Sequence, residues 1–516
     1  MAHILRKSNF QKTYHYLKRN GLKNAYYAVL ERVKSSKGSD YHYEEAEEEV
    51  LAKQKQEAVS SPYRFSILVP AYETKEEYLR EMIESVLGQS YGKFELIIAD
   101  ASQSDAVQKT VNGYLDRRIR YLRLEENKGI SENTNAALAV AKGEYIGLLD
   151  HDDVLTPDAL YEMSKAIRES VQRGKTAWLL YSDEDKGNGD MTEFYEPHRK
   201  HGLNMDLLFS NNYICHFLVM RRELMRSLRF RPDYDGAQDY DLILRAIGRL
   251  IYEEERGRDS VIHIPKVLYH WRCHAESTAE NPKSKQYAYE AGRRALEDFM
   301  AARGWRGKAE HTLHLGFYRI AYENSIFAQR KEVGVIGGKL VDKKGCIAGG
   351  IYNSRGRCLY AGLNRNFSGY MHRAGLDQEA YAVDLRCMRV KKELWGIFED
   401  VFGISYREKE MGANRRFPYE EIMFSAGKES SARGSGEIKR NETNAQEGGT
   451  DIIKGETGTK KGDTDGVANA DDNLKKLCIE FGRRVRRAGY TVVWLPDWEW
   501  KIYGKNSKCN GHDTKL

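Results

Sequence analysis

The stretch Gly143–Leu155, which reads GEYIGLLDHDDVL, decides how the rest of the chain is interpreted. Its apolar run 145–149 has the length of a buried strand, and it ends in the polar sequence DHDD at 150–153. Because an unpaired carboxylate is costly to bury, this strand must end at a solvated edge. A divalent cation prefers oxygen ligands at such a place, often shared with nucleotide phosphates. The alternative is an Asp-rich turn before a helix, since Thr156-Pro157-Asp158 has typical helix-starting chemistry.

The composition indicates a soluble protein of two or three domains. The 516 residues include 82 Lys and Arg against 76 Asp and Glu, a formal net charge of +6, which argues against a dedicated nucleic-acid binder. No apolar run reaches the ~20 residues of a membrane span, and no signal peptide is visible. Seven scattered cysteines without CxxC spacing predict reduced thiols. We expect a cytoplasmic location, with peripheral attachment to the cytoplasmic face of a membrane as an option.

Predicted strands and helices alternate through the first half of the chain. Apolar runs at 65–69, 94–99 and 119–124 are separated by helical patterns at 76–87 and 131–141. This alternation predicts an α/β fold with a mostly parallel sheet and helices on both faces. Polar residues follow three strands, at 71–73, 100–102 and 150–153. Since ligands of such sheets bind at the carboxyl ends of strands, these residues predict a nucleotide site at one edge.

Five motifs occur in the order of a known family. They are FSILVPAYE (from Phe65), ELIIADASQSD (from Glu95), ENKGISENTNAALAVAKGEYIGLLDHDD (from Glu126), GAQDYDLILRA (from Gly236) and LYHWRCH (from Leu268). Over residues 63 to about 300 this series resembles family 2 glycosyltransferases of the GT-A fold. It is most similar to bacterial enzymes that build rhamnan, O-antigen and other surface polysaccharides. The resemblance implies an inverting transfer from a nucleotide-sugar donor, with Mg²⁺ or Mn²⁺ as cofactor.

The resemblance also implies roles for the matching residues. Asp239 would be the catalytic carboxylate, and Asp152, together with Asp150, would bind the metal. The donor nucleotide would be bound by Ala71, Tyr72, Glu73, Asp100, Asn127, Gly129, Asn135 and Asp150. Two positions depart from the family pattern: Gln238 precedes Asp239 where glutamate is common, and Thr134 stands where many members have arginine. The second departure leaves a phosphate contact missing or supplied elsewhere.

Transfer chemistry requires such groups independently of any resemblance. Displacing a nucleoside diphosphate from a sugar needs its growing negative charge neutralised, which a divalent cation does. The acceptor hydroxyl must lose its proton to a general base on the opposite side of the sugar. Asp239 precedes a predicted helix at 240–247 and is far in sequence from the DHDD motif. It fits the role of base, and its alternative role is to cap that helix.

The residues His270, Trp271 and Arg272 follow a predicted strand at 261–268. The histidine is either a further metal ligand or a hydrogen-bonded structural residue. Arg272 and Trp271 are candidates for contacting the diphosphate or the acceptor, since guanidinium matches phosphate oxygens. The acidic sequence 183–185, after an apolar run at 178–181, either borders the acceptor site or closes a strand.

The two ends of the chain suggest accessory parts. Residues 1–62 are charged and helical, which fits a solvated packing helix or, as the less favoured alternative, a helix lying on an anionic membrane. Beyond the main domain (63–303), LRCMRVKKELWGIF (from Leu385) resembles CHFLVMRRELMRSL (from Cys215). Similarly, TVVWLPDWEW (from Thr491) resembles VIHIPKVLYHW (from Val261). These echoes predict a partial, non-catalytic GT-A-like half-domain at 304–424 and 472–516, which would bind acceptor glycan or a partner. It is interrupted by a segment, 425–471, that is too polar to fold.

Three functions remain open from the sequence. The leading one is an inverting, metal-dependent glycosyltransferase that acts on a glycan or lipid-linked acceptor in cell-surface polysaccharide biosynthesis. A sugar nucleotidyltransferase would need a glycine-rich, basic loop after the first strand, where this chain has PAYETKEEY. The third is a catalytically silent, glycan-binding or scaffolding component of a polysaccharide assembly complex.

Overall fold

The structure, a computed structural model, describes residues 7–35, 41–273, 286–407 and 463–501. The side chains of residues 7–15, 34–35 and 463–470 are outside this description. Two compact units divide the chain between Ser325 and Ile326. The predicted boundary lies at 303/304, and the structure differs because a hairpin at 307–322 packs on the first unit. There the ring of Tyr318 stacks on Tyr240, with 6.0 Å between centroids.

The first unit contains ten α-helices and eleven strands among its described residues. The helices are α1 (Lys7–Ser35), α2 (Glu48–Ala58), α3 (Glu76–Leu87), α4 (Ala106–Asn112), α5 (Ile130–Val140), α6 (Ala159–Gln172), α7 (Met205–Ser210), α8 (Arg222–Leu228), α9 (Gln238–Gly248) and α10 (Gln286–Ala301). The strands are β1 (Phe65–Ala71), β2 (Phe94–Asp100), β3 (Ile119–Arg123), β4 (Tyr145–Leu148), β5 (Val154–Leu155), β6 (Leu179–Gly187), β7 (Phe194–His198), β8 (Leu218–Arg221), β9 (Val261–Arg272), β10 (Gly307–His311) and β11 (Tyr318–Tyr322).

Nine of these strands form one mixed sheet, which confirms the predicted α/β class. Its order is β3-β2-β1-β4-β8-β6-β9-β5, with β7 paired to β6. The four strands β1 to β4 are parallel, and β6 is parallel to β9. The strand β8 runs antiparallel to both β4 and β6. The parallel half therefore carries the predicted strand ends, and the other half extends the sheet beyond them.

The central strands are apolar along their whole length because both sheet faces are covered. Every residue of β2 is buried, and in β1 only Pro70 is partly exposed. One charged residue, Glu95, lies in this core with its charge satisfied. Its carboxylate accepts hydrogen bonds from the Ser66 hydroxyl (2.6 Å) and from Arg120 (3.0 Å).

The second unit repeats part of the first unit's sheet topology. Its helices are α11 (Ile326–Gln329), α12 (Trp395–Phe402) and α13 (Asp463–Arg487), and its strands are β12 (Val333–Val341), β13 (Ile347–Gly349), β14 (Ile351–Tyr352), β15 (Gln378–Glu379), β16 (Ala382–Val383), β17 (Met388–Val390) and β18 (Thr491–Lys501). The strand β12 pairs parallel with β18 and antiparallel with β17, as β6 pairs with β9 and β8. This repetition agrees with the predicted partial GT-A-like half-domain. The helix α13 begins within the predicted 425–471 insertion, most of which is outside the described residues.

Two further observations concern the sequence expectations. Cys346 is disulfide-bonded, so the prediction of uniformly reduced cysteines is wrong at this residue. Five others, Cys215, Cys273, Cys358, Cys387 and Cys478, are free thiols. In the part of the chain that the structure describes, no helix has both the length and the apolar character needed to cross a bilayer.

Candidate functional site

The three predicted polar strand ends meet at one edge of the sheet. The register of β1 and β2 places Ala71 beside Asp100. The register of β1 and β4 places Leu68 beside Leu148, so the 150–153 loop leaves the sheet at the same edge. Parallel strand order therefore gathers residues that are some 80 positions apart in sequence.

The loop after β1 is locked to the loop after β2. The Glu73 carboxylate accepts hydrogen bonds from the Ser104 hydroxyl (2.6 Å) and from the Gln103 and Ser104 N–H groups (2.7 and 2.9 Å). These bonds, led by that of the hydroxyl, lower the pKa of Glu73. Tyr72 is 44% exposed, whereas Ala71 is buried. Both Tyr72 and Glu73 are exposed, but the Glu73 carboxylate is held by the loop after β2, whereas Tyr72 extends into solvent.

Asp100 differs from the role that the resemblance implies, because the protein supplies its hydrogen-bond donors. One oxygen accepts from Tyr121 (2.7 Å) and Arg123 (3.0 Å), and the other from the Ser102 N–H (2.9 Å). The side chain is fully buried. It fixes the end of β2 and presents no open oxygen to a nucleotide base.

The amides of Asn127 and Asn135 also bind the protein itself. The Asn127 Oδ1 accepts from the Gly129 N–H (3.2 Å) and from Asn133 (2.9 Å), which shapes the turn before α5. The buried Asn135 exchanges two hydrogen bonds of 2.9 Å with the backbone of Phe230. Gly129 has φ 90°, and a Cβ there would lie 2.3 Å from the Asp235 carboxylate. Asn135 is thus enclosed by the protein, whereas Asn127 is exposed at the turn before α5 and remains a predicted contact of the donor nucleotide.

The DHDD loop presents two of its three aspartates to solvent. The side chains of Asp150 and Asp152 are 48% and 23% exposed. The third, Asp153, is buried and accepts hydrogen bonds from the Tyr269 hydroxyl and the Arg272 N–H (2.7 Å). Burial, followed by the charges of Asp152 and Asp150, raises the pKa of Asp153 well above its ordinary value. The loop is thus anchored by one aspartate and opens with the other two.

Arg272 holds this loop from behind and is not available to a diphosphate. The residue is fully buried. Its guanidinium donates to the carbonyls of Asp152 and Gly189 and to the Glu81 carboxylate. Because each guanidinium nitrogen has a protein acceptor, the structure corrects the predicted phosphate contact to a positioning role for the loop.

His270 faces away from the DHDD loop, so the structure does not support it as a metal ligand. Its Nδ1 lies 2.5 Å from Asp185, and its ring stacks on Phe194. Successive strand residues point to opposite faces, and the neighbouring Trp271 lies on the other side. There its ring is 6.1 Å from that of His216.

His216, which the sequence analysis missed, is the histidine beside the DHDD loop. Its Nε2 lies 3.8 Å from Asp150, and its ring stacks on Tyr269 at 4.7 Å. On the other side, its Nδ1 lies 3.1 Å from Glu184. The sequence feature that could have identified His216 is its position immediately before the apolar run 217–220.

The acidic sequence 183–185 lies within β6, where it is buried. The strand continues past this sequence to Gly187, so the predicted alternative that it closes the strand is wrong. Glu184 lies 3.1 Å from His198 and 3.6 Å from the Lys200 ammonium. Burial alone would raise the pKa of Glu184. Lys200, His198 and His216 lower this pKa by more than burial raises it, so that it lies well below its ordinary value. Burial lowers the pKa of His216, but Cys215 and Glu184 raise it to well above its ordinary value. A buried ion-pair network thus supports the DHDD loop.

Asp239 lies in the first turn of α9. The N-cap position of this helix is occupied by Ala237, and no side chain caps the helix by a hydrogen bond. The predicted alternative, that Asp239 caps this helix, is therefore wrong. Its Oδ1 accepts from the Tyr240 N–H (2.8 Å) and its Oδ2 from the Asn212 amide (2.9 Å). Asn212, which binds Asp239, lies four residues before His216, whose Nε2 is 3.8 Å from Asp150. One loop therefore contacts both the predicted base and the DHDD loop.

A divalent cation fits the exposed pair Asp150 and Asp152. Among the residues described, no three His, Cys, Asp or Glu side chains are grouped as a complete metal cage. Mg²⁺ commonly uses one or two carboxylates and completes its shell with substrate phosphates and water. Two partly exposed carboxylates in the loop after the parallel strand β4 match that arrangement.

Comparisons with known proteins agree with the sequence motifs. Residues 66–229 match the family model "Glycosyl transferase family 2". An uncharacterized protein of Sinorhizobium fredii is 42% identical over 46% of this chain and 25% of its own length. The O-antigen biosynthesis protein RfbC of Myxococcus xanthus is 33% identical over 48% of this chain and 19% of its own length. The chain thus spans a quarter or less of these two relatives.

Among solved structures, that of S. aureus TarS 1–349 in complex with UDP has a TM-score of 0.35 and 19% sequence identity. The match covers 46% of this chain and 65% of that one. The ordered motifs and the matched model therefore agree that residues 66–229 are similar to family 2 glycosyltransferases.

Proposed function

We propose that the protein is an inverting, divalent-metal-dependent glycosyltransferase. It moves a sugar from a nucleotide-sugar donor to a glycan or lipid-linked acceptor. The observation that carries this proposal is that two partly exposed carboxylates, Asp150 and Asp152, share one supporting loop with a third, Asp239. A transfer reaction needs both kinds of group, one for the leaving diphosphate and one for the acceptor proton.

Asp239 is the proposed general base. Its two oxygens are oriented by the Asn212 amide and by the Tyr240 N–H. The Asp239 carboxylate accepts the proton of the acceptor hydroxyl as that oxygen attacks the anomeric carbon. Attack opposite to the leaving diphosphate inverts the configuration, as in inverting glycosidases.

Asp150 and Asp152 are the proposed holders of Mg²⁺ or Mn²⁺. When bound, the cation neutralises negative charge on the departing diphosphate. Arg272 and Asp153 keep the loop in place by binding its backbone and β9. The exposed side chain of Tyr72 is proposed to contact the nucleotide. Trp271, which lies near His216, is proposed to contact the acceptor.

The proposed setting is cell-surface polysaccharide biosynthesis on the cytoplasmic side of the membrane. It is supported by the matched relative whose name refers to O-antigen biosynthesis. A lipid-linked acceptor would bring the enzyme to the membrane surface. The second unit is proposed to bind acceptor glycan or a partner without catalysing transfer.

Thermal unfolding with UDP, GDP, CDP and dTDP nucleotides, each with and without Mn²⁺, tests the donor site. A ligand that binds only the folded protein stabilises it by about 2.7 kcal/mol at a hundred times its dissociation constant. We expect one nucleotide class to raise the melting temperature only when Mn²⁺ is present. A lack of response to all four would favour the silent scaffold instead.

A further inference from the structure

Helix α1 exposes an apolar stripe after a kink at Gly21, where φ is 76°. Four large apolar side chains are open to solvent: Leu22 (80% exposed), Tyr26 (61%), Val29 (46%) and Val33 (42%). Their spacing of four, three and four residues places them on one helix face. The described residues of the first unit leave this face uncovered.

The same segment carries a concentrated positive charge. Residues 1–37 contain nine Lys and Arg and a single Glu, a formal net charge of +8, although the whole chain has only +6. At 100° per residue, Lys23 and Arg32 lie on opposite flanks of the stripe, and both are exposed. The helix thus combines an apolar face with basic edges.

Polar contacts beside this stripe attach α1 to the loop at 312–313 in the same unit. The Arg19 guanidinium donates to the Thr312 carbonyl (2.6 Å), and the Asn20 amide donates to the Leu313 carbonyl (3.0 Å). The contacted loop also exposes two apolar side chains, Leu313 (46%) and Leu315 (39%). The helix is therefore held to the domain with its apolar stripe still exposed.

We propose that the stripe Leu22, Tyr26, Val29 and Val33 docks the protein on an anionic lipid surface. Apolar side chains enter the boundary between headgroups and acyl chains, while basic residues contact acidic headgroups. A second copy of α1 is a poorer occupant because Lys23 and Arg32 flank the stripe where paired helices would bring like charges together. This surface lies on α1 and includes none of the residues proposed for sugar transfer, and it is the surface that would face the membrane.

Vesicle flotation of the full-length protein tests the proposal. The probes are vesicles of phosphatidylcholine alone and vesicles that also contain phosphatidylglycerol. The test variant is Leu22→Asp with Val29→Asp. The matched control is Leu115→Asp with Val171→Asp, which changes two apolar residues that are 97% and 52% exposed elsewhere on the unit.

We expect the wild type and the control to float with anionic vesicles, and the stripe variant to bind at least ten times more weakly. Added salt should weaken binding by the wild type, because exposed charges are screened. Equal binding by the stripe variant, equal binding to neutral vesicles, or no binding by the wild type would overturn the proposal. So would a wild-type dimer, measured by light scattering, that the stripe variant loses.

Nucleotide-dependent thermal unfolding of the same variants separates this question from the activity. An unchanged melting temperature and nucleotide response would show that a loss of vesicle binding is not a loss of folding. If the protein floats with anionic vesicles but responds to no nucleotide, the membrane-binding proposal is supported and the transferase proposal fails.

Discussion

The Asn212 amide donates a 2.9 Å hydrogen bond to Oδ2 of Asp239. Asn212 lies in the loop after α7, and four residues later the same loop carries His216, whose Nε2 is 3.8 Å from Asp150. One short loop therefore contacts both the proposed base and the proposed metal-binding pair. The Lys200 ammonium holds this loop by binding the Ile214 carbonyl (3.1 Å) and the His216 carbonyl.

Asn212→Ala should lower kcat by about 10- to 100-fold, because a hydrogen bond to a charged group contributes about 1.5–3 kcal/mol. The KM for the donor should change little, since Asn212 contacts the base. The control is the double variant with Asp239→Asn. There the loss from Asn212→Ala should nearly vanish, as expected for two residues that act together. Additive losses in steady-state kinetics would separate Asn212 from the base.

Asp239→Asn should reduce turnover at least ~10²-fold, the effect typical of removing a general base. Donor binding should remain, because the amide replaces the carboxylate without changing its shape. Sugar transfer and donor affinity, measured on the same preparation, test both statements. The control is Asp233→Asn, which changes an exposed carboxylate on the preceding turn. Normal turnover by the Asp239 variant would exclude this residue from the mechanism.

Asp152→Asn should weaken nucleotide binding with Mn²⁺ and have little effect without it. The physical reason is that the amide removes the negative charge from one of the two carboxylates that would hold the cation. Calorimetric titration with and without metal measures the difference. Asp190→Asn, in an exposed turn, is the matched control. If the Asp152 variant kept the full gain from Mn²⁺, the cation would have to bind elsewhere.

The sheet and its functional edge could be predicted because their signals are local. The continuous apolar runs at β1, β2 and β4 specify buried strands, and their polar ends specify the edge at which Asp150 and Asp152 lie. Parallel pairing then gathers these ends without any further information.

Side-chain direction and partners could not be predicted in the same way. Neighbours on a strand face opposite sides, so only one of His270 and Trp271 can face the site, and the sequence does not tell which. The burial of Arg272 depends on Glu81 and Gly189, which are distant in sequence. His216 reaches Asp150 only because β8 pairs with β4. The sequence therefore identified the polar residues near the edge of the sheet. It did not distinguish those that face a ligand from those, such as Arg272, whose polar groups bind other parts of the protein.

Glu184→Gln should destabilise the first unit by about 3–5 kcal/mol near neutral pH, because it leaves buried cations without their partner. The nearby Lys200 ammonium is fully enclosed. Since the pKa of Glu184 lies well below 4.5 in the folded state, the carboxylate stabilises the fold above that pH. This contribution is lost as the pH falls through the folded-state value. Unfolding of wild type and variant between pH 7 and acidic pH should show a difference that narrows on acidification, and a constant difference would contradict this role.

Gly143→Ala should lower the melting temperature of the first unit. A Cβ at this residue would lie 2.5 Å from the Ser66 nitrogen and 2.6 Å from the Phe65 carbonyl carbon, both backbone atoms of β1. Because backbone in a central strand cannot move aside cheaply, we expect a cost of about 1–3 kcal/mol, the range for overpacked cores. Gly92→Ala is the matched control, since a Cβ there meets no atom within 4 Å. Equal melting temperatures for the two variants would mean that β1 and the segment before β4 can separate without loss, and that the edge carrying Asp150 and Asp152 does not depend on this contact.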